Sequence, residues 1–293
     1  MSRPKVETKR TEKSRLLTRY GPWAVVTGAS DGIGRELARQ LAAAGLNLVV
    51  VARRPEPLEQ LAEEARRVHG IEVRVVPADL STPAGTAEVE AWAADLPVGL
   101  LVAAAGFGTA GAFLDGELQQ ELELVDVNCR AVAALAHHFG GRFARQERGG
   151  LVLFSSLVAF QGVPRSANYA ASKAYVQSLA EALRLELAPL GVDVLASAPG
   201  PVASGFARRA RMQLGMTASP EEVARGTLAA LGRRGTVRPG WLSKVLGWSL
   251  ALLPRWGRVR MMGLIMRGMT SHQAGALPTS AAGNPQAGPR PTR

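Results

Sequence analysis

Short apolar runs alternate with helical periodicities along most of this chain. Trp23-Ala-Val-Val-Thr27 is an apolar run that stops at Gly28, the pattern of a buried strand. Ile33, Leu37, Leu41 and Ala44 then recur at helical spacing, and Gly45 closes the helix. Residues 46–51 predict a second strand, 57–68 a helix, and 73–76 a third strand followed by Asp79. Three more strands are predicted at 100–105, 151–155 and 193–197, with helical patterns between them. Ser219-Pro-Glu-Glu222 marks another helix start, with serine as N-cap, proline first and glutamate third. Short apolar strands alternating with helices predict an α/β fold, a parallel sheet covered on both faces.

The two ends break this rhythm. Residues 1–20 are polar and basic and read as a mobile arm ahead of a folded domain over 21–240. Residues 241–270 form an apolar, basic helical extension. Trp241, Val245, Trp248 and Leu252 belong to its first part, Pro254 interrupts it, and Trp256, Met261, Leu264 and Ile265 follow among arginines. Residues 271–293, rich in Ala, Gly, Pro and Ser, read as a disordered tail.

Charge sharpens the division. The net charge is +11, yet residues 1–20 hold seven Lys/Arg against two Glu, and residues 233–293 hold ten Lys/Arg and no acid. The body between is therefore net acidic. This argues against a basic nucleic-acid-binding fold, and for solvated tails or contact with an anionic surface. No uninterrupted apolar run reaches the length of a membrane span, and the first twenty residues lack a secretory apolar core. Cys129 is the only cysteine, which excludes an intrachain disulfide and is simplest in the cytoplasm. The four histidines show no metal-ligand spacing, and no metal is expected.

Three stretches carry candidate chemistry. In Tyr169-Ala-Ala-Ser-Lys173 a phenol and an ammonium lie one helical turn apart, and the ammonium is expected to lower the phenol pKa toward working pH for proton transfer. Thr27-Gly-Ala-Ser-Asp-Gly-Ile-Gly34 sits between a strand and a helix. It reads either as a phosphate-binding turn at a helix N-terminus or as a plain tight turn. The second strand ends in Arg53-Arg54 with no acid, which favours a ribose 2′-phosphate over a free 2′-hydroxyl.

With these residues in order, the chain resembles the short-chain dehydrogenase/reductase family over about residues 21–232. The turn matches the family's cofactor loop, with Gly28, Ser30, Asp31, Gly32, Ile33 and Gly34 as contacts. Asp79-Leu80 matches the pair at the adenine, and Ala105-Gly106 the close approach after the fourth strand. Asn128, Ser156, Tyr169 and Lys173 match the catalytic set, and Pro199-Gly200-Pro-Val202 the segment that closes over the nicotinamide. Two positions depart from the family pattern. Ala103-Ala-Ala-Gly106 lacks the asparagine that braces the sheet, and Ser204 stands where the family has a carboxamide-binding threonine.

The resemblance implies a Rossmann-type doubly wound domain binding NADP(H) in preference to NAD(H), with Arg53 and Arg54 at the 2′-phosphate. It implies hydride transfer between the nicotinamide and a small-molecule carbonyl or alcohol. Tyr169 would be the acid/base, Lys173 would tune it and hold the ribose, Ser156 would bind the substrate oxygen, and Asn128 would hold a relay water. A homo-oligomer, dimer or tetramer, is also implied. Two rivals stay open: an idle nucleotide-binding sensor on the same fold, and a peripheral membrane protein led by its basic ends. The extension at 241–270 suits three placements: over a hydrophobic substrate pocket, against another subunit, or in an anionic membrane surface. A lipid-like or steroid-like substrate follows from the first.

Overall fold

The computed structural model describes residues 15–213 and 215–271. Its centre is one sheet of parallel strands: β1 (Trp23–Thr27), β2 (Asn47–Ala52), β3 (Val73–Pro77), β4 (Val98–Ala103), β5 (Gly149–Phe154), β6 (Val192–Ser197) and β7 (Thr236–Val237). The spatial order is β3-β2-β1-β4-β5-β6-β7. The direction of winding reverses between β1 and β4, which opens a crevice at their C-terminal ends.

Side chains alternate across the strands and build two cores. On one face, Ala24, Val26, Leu48 and Val50 pack with helices α1 (Gly32–Ala43), α2 (Pro55–His69) and α8 (Pro220–Ala230) through Leu37, Leu41, Leu58, Leu61 and Leu228. On the other, Val25, Val49 and Leu101 pack with α3 (Pro83–Trp92), α5 (Ala131–Arg145) and α6 (Ala167–Leu187) through Val89, Leu135, Phe139 and Val176. Both strand faces are apolar because both are covered. That is why the strands read as continuous runs rather than alternating ones. Between α3 and α6 lies α4 (Leu118–Val125), and the sixth strand is followed by the short α7 (Gly205–Arg209).

Several boundaries differ from the sequence reading. The fourth strand ends at Ala103, so Ala104 and Ala105 leave the sheet and turn into the crevice. The edge strand β7 was not foreseen. It is two residues long, pairing Thr236 with Ala196 and Val237 with Ser197, and so short a run carries no period.

The basic arm also needs correction. Residues 15–20 are helical and packed rather than mobile, with Leu16 and Tyr20 buried. Arg15 donates from both terminal nitrogens to the carbonyls of Leu228 and Leu231, at 2.9 and 2.7 Å, closing the C-terminal end of α8. Arg19 and the Tyr20 hydroxyl both donate to Asp193 on β6, at 2.6 and 2.7 Å. Buried partners, invisible in a polar local sequence, order this segment. Residues 1–14 lie outside the described residues, as do 272–293 of the tail.

The extension folds as two helices, α9 (Trp241–Ala251) and α10 (Arg255–Met269), separated at Pro254. No helix among the described residues is long and apolar enough to cross a membrane.

Candidate active site

The crevice at the β1–β4 switch point is a cleft of about 530 Å³. Its floor is the turn after β1. Gly28 has φ +71°, and a Cβ there would sit 2.9 Å from the Ala104 carbonyl oxygen and the Ala105 nitrogen. A Cβ on Gly34 would collide with the Gly28 carbonyl. The turn and the start of α1 thus reach a closeness that only glycine permits, leaving backbone where a phosphate can approach. Asp31 caps α1, accepting from Gly32 N at 2.7 Å, and its other oxygen accepts from Gly205 N at 3.1 Å. The Thr27 hydroxyl accepts from Ala105 N at 3.0 Å and lies 3.5 Å from the Val102 carbonyl, to which it donates. This hydroxyl ties the two strand ends together where the family's bracing asparagine is missing.

Positive charge gathers at one end of the cleft. Arg53, Arg54, Arg208 and Arg209 all line it. Arg53 and Arg209 donate to the same Glu123 oxygen, at 3.1 and 3.2 Å, so one carboxylate of α4 clasps guanidiniums from opposite walls. Arg209 also lies over the Phe107 ring, 3.7 Å from its centroid. Burial works to raise the Asp79 carboxyl, but bonds from Ser81 N and Oγ, with Arg53 and Arg209 nearby, outweigh it and hold the group below its ordinary value. A glycine cradle at a helix N-terminus, with arginines at one end, fits a dinucleotide carrying an additional phosphate.

The four expected catalytic residues converge beyond Gly106. Asn128 lies in a wide π-type turn, Asp126–Arg130, inserted between α4 and α5. It is fully buried. Its Nδ2 donates to Phe107 O and Ser172 Oγ at 2.9 and 3.0 Å, and its Oδ1 accepts from Phe107 N at 3.1 Å. A Cβ on Gly106 would lie 2.9 Å from Asn128 Oδ1 and 3.2 Å from Lys173 Nζ, so the set adjoins the cleft across that one glycine. Ser156 follows β5; its Oγ donates to the Pro199 carbonyl at 3.5 Å and accepts from Val158 N at 3.4 Å, and it stands near enough to the Tyr169 hydroxyl to act against the rise of that phenol's pKa. Tyr169 and Lys173 share a face of α6.

The electrostatics of this pair differ from the sequence expectation. Burial raises the Tyr169 phenol to about 12, with Ser156 opposing it. The residue is half-buried as a whole. Burial lowers Lys173 to about 8. Desolvation outweighs the attraction because the ammonium is aimed elsewhere. It donates to the Phe154 carbonyl at 2.9 Å and stands 5.8 Å from the Tyr169 ring centroid.

Of the expected cofactor contacts, Gly28, Ser30, Asp31, Gly32, Ile33, Gly34, Arg53, Arg54, Asp79, Leu80, Ala105, Gly106 and Ser204 line the cleft. Pro199, Gly200, Val202, Tyr169 and Lys173 do not. Pro199 and Gly200 stand behind Ser156, where Pro199 O accepts from Leu157 N at 3.0 Å and Gly200 N donates to Ser243 Oγ at 2.8 Å. Ser204 spends its oxygen on Phe206 N, at 3.4 Å, as the cap of α7. Phe206, Arg208 and Arg209 also line the cleft, and Phe107 and Glu123, which no local pattern singles out, stand beside them. Phe206 packs on the Tyr169 ring with centroids 5.2 Å apart. Only a fold brings these together, because α4 and α7 are distant in sequence from the turn they cover.

Comparison with known proteins agrees with this geometry. The family model for short chain dehydrogenases matches residues 22–215. A 7beta-hydroxysteroid dehydrogenase of Collinsella aerofaciens is 31% identical over 242 residues, covering 78% of this chain and 90% of that one. A very-long-chain 3-oxoacyl-CoA reductase-like protein of Arabidopsis thaliana is 32% identical over 247 residues, covering 81% and 79%. Among solved structures, a 7beta-hydroxysteroid dehydrogenase superposes with TM-score 0.78 at 28% identity, over 84% of this chain and 98% of that one. A short-chain dehydrogenase of Sphingobium yanoikuyae in complex with NADPH gives 0.72 at 26%, over 90% and 99%. The chain belongs to the short-chain dehydrogenase/reductase family. It is an oxidoreductase of the class that acts on CH–OH groups of small molecules.

Proposed function

We propose that the protein interconverts a carbonyl and its alcohol on a hydrophobic, lipid-like or steroid-like substrate, with NADP(H) as cofactor and Tyr169 as general acid/base. The observation that carries this reading is the convergence of Asn128 and Lys173 on Gly106 at the edge of the glycine-lined cleft, with Tyr169 one helical turn from Lys173 and Ser156 beside its hydroxyl. Support for NADP(H) comes from the four arginines that line that cleft, two of them gathered on Glu123, and from the relative solved with NADPH.

In the reducing direction, Tyr169 gives its proton to the substrate oxygen while Ser156 donates a hydrogen bond to the same atom. The phenol is protonated at working pH, the form an acid requires, and burial only raises its pKa further. The bound nicotinamide supplies the hydride. Lys173, still charged at neutral pH, offsets the phenolate left behind and faces the ribose side of the cleft through Gly106. Asn128 fixes Phe107 and the Ser172 hydroxyl around this group; by resemblance to the family it would hold the water that returns a proton to Tyr169. Apolar groups flank the two proton-handling residues: Phe206 lies on Tyr169, and Val158, two residues after Ser156, packs in the cluster with Met262 and Met266. That setting suits a hydrophobic substrate, as do the steroid and very-long-chain names of the relatives. A single cysteine, Cys129, half-buried and unpaired, suits a reducing, cytoplasmic compartment.

The test is NADPH oxidation against a panel of steroid ketones and long-chain 3-oxoacyl thioesters. Turnover is expected on some of them. Tyr169→Phe should reduce it by roughly a hundredfold or more while NADPH binding, followed by fluorescence, is retained. Unchanged turnover in Tyr169→Phe sinks the mechanism, and NADPH binding without turnover on any hydrophobic carbonyl sinks the substrate class.

A further inference from the structure

Amphipathic helices on a globular surface turn their apolar stripe inward. Helix α9 does the reverse. Its fully buried positions are Ser243 and Gly247, with Leu242, Leu246 and Leu250 half-buried. Trp241, Val245, Trp248 and Leu252 follow one another at spacings of four, three and four, so they form one stripe, and all four face solvent. Trp248 is 74% exposed and Leu252 84%. On α10 the inner face is Met262, Gly263 and Met266, while Met261, Leu264 and Ile265 point outward, with Trp256 exposed at the helix start. Solvent-exposed apolar side chains in continuous stripes mark a surface that meets something.

The charges say what it meets. Residues 241–270 contain Lys244, Arg255, Arg258, Arg260 and Arg267 and no acid. Lys244, Arg255, Arg260 and Arg267 are exposed, and none of the ion pairs among the described residues uses them. A symmetric contact with a second copy would set this surface against itself, cation to cation, with no carboxylate to neutralise it. Neither helix can span a bilayer. Tryptophans and aliphatic side chains beside lysine and arginine are what an interfacial helix presents, the rings at headgroup depth and the cations to lipid phosphate or carboxylate.

We propose that α9 and α10 form a docking face for an anionic lipid surface, with the α9 stripe and the outer side chains of α10 seated in the headgroup region. The inner side of the same pair meets the catalytic side. Met262 and Met266 cluster with Val163 and Ala170, the neighbour of Tyr169, and Ser243 on α9 bonds to Gly200. If the proposed reaction on hydrophobic substrates is correct, a substrate dissolved in the membrane reaches the site from this side; the docking itself does not depend on that reaction.

The experiment uses the full chain, without substrate, and vesicles of phosphatidylcholine alone or mixed with phosphatidylserine. Sedimentation with the mixed vesicles is expected, falling as salt rises. Each exposed cation removed from the two helices should weaken it about fivefold. The double variant Trp248→Glu, Leu252→Glu should lose it, while NADPH fluorescence and the melting temperature report an intact fold. Binding that survives in the double variant places the contact elsewhere, on the basic N-terminal residues, and overturns the proposal. So does absence of vesicle binding, including the case in which the protein is an oligomer that the same variant dissociates. Loss of catalysis in some other assay leaves these outcomes unaffected.

Discussion

The cofactor side and the substrate side of this molecule are built on opposite plans. The floor of the cofactor cleft is made of backbone: glycines at 28 and 34 that admit no side chain, a helix N-terminus, and a threonine hydroxyl that pins two strand ends. The wall around Tyr169 and Ser156, the substrate side of the proposed reaction, is made of side chains from α7, α9 and α10, held by contacts such as Phe206 on Tyr169 and Ser243 on Gly200. A site assembled from backbone tolerates almost no substitution and leaves a fixed sequence signature. A site assembled from side chains can be rebuilt around a different substrate with the same reaction.

The sharpest way to break the comparison is at Gly28. Gly28→Val forces a branched side chain into the Ala104–Ala105 backbone at a positive φ, and NADPH affinity should fall by roughly a hundredfold or more. Titration of NADPH fluorescence checks this, with circular dichroism to confirm folding. A folded variant that binds normally would show that the turn is not the cradle.

The next effect is on stability and belongs to the boundary between the two sides. Lys173 is lowered from 10.5 to about 8, so between those values the unfolded chain holds the proton that the folded one has released. Stability from this group therefore rises with pH across that window and is lowest below it, by about 3 kcal/mol in full. Tyr169, raised from 10.0 to about 12, acts in the opposite sense above the window's upper part: the unfolded chain ionises first, and stability falls as pH climbs toward 12. Denaturant unfolding of the natural chain and of Lys173→Met, at neutral pH and near the top of the Lys173 window, should differ in slope with the natural chain gaining more. Parallel profiles would mean that the ammonium is not desolvated.

The smallest effect concerns the clasp on Glu123. Arg53→Ala should weaken NADPH by roughly tenfold and leave NADH nearly unchanged, since a guanidinium–phosphate bond is lost from one ligand only. Glu123→Gln frees Arg53 and Arg209 from a competing carboxylate and should tighten NADPH a few-fold. Equal responses to both cofactors, measured by competition titration, would remove Arg53 from the 2′-phosphate.

The same contrast explains what was legible in the sequence. The backbone-built side was readable because glycine spacing, strand runs and the Tyr169–Lys173 turn are local patterns. The sheet and its coverage on both faces came from them, and the resemblance they carried to the family pointed to thirteen of the residues that line the cleft. The Tyr169 pKa was misjudged because spacing shows that an ammonium is near, whereas only the fold shows that it bonds to Phe154 O and that both groups are buried. Arg209 and Glu123 were beyond reach because their 3.2 Å contact joins α7 to α4 across 86 positions of chain. Residues 15–20 misled for the same reason: their arginines look solvated until α8 and Asp193 are brought to meet them.

Helix α9 has one more consequence. Its most deeply buried positions are a hydroxyl and a glycine where a core helix would hold leucines, while Leu242, Leu246 and Leu250 are only half-buried. Among the described residues its polar attachment to the domain is the bond from Gly200 to Ser243, 2.8 Å long. Such an element lies at the low end of the local unfolding scale. Its amides should exchange with deuterated water well before those of α6, whose Val176 and Ala180 are sealed in the core. An opening there would part the wall behind Ser156 while leaving the sheet intact, and faster exchange of the α9 amides than of the α6 amides is the measurement that checks it.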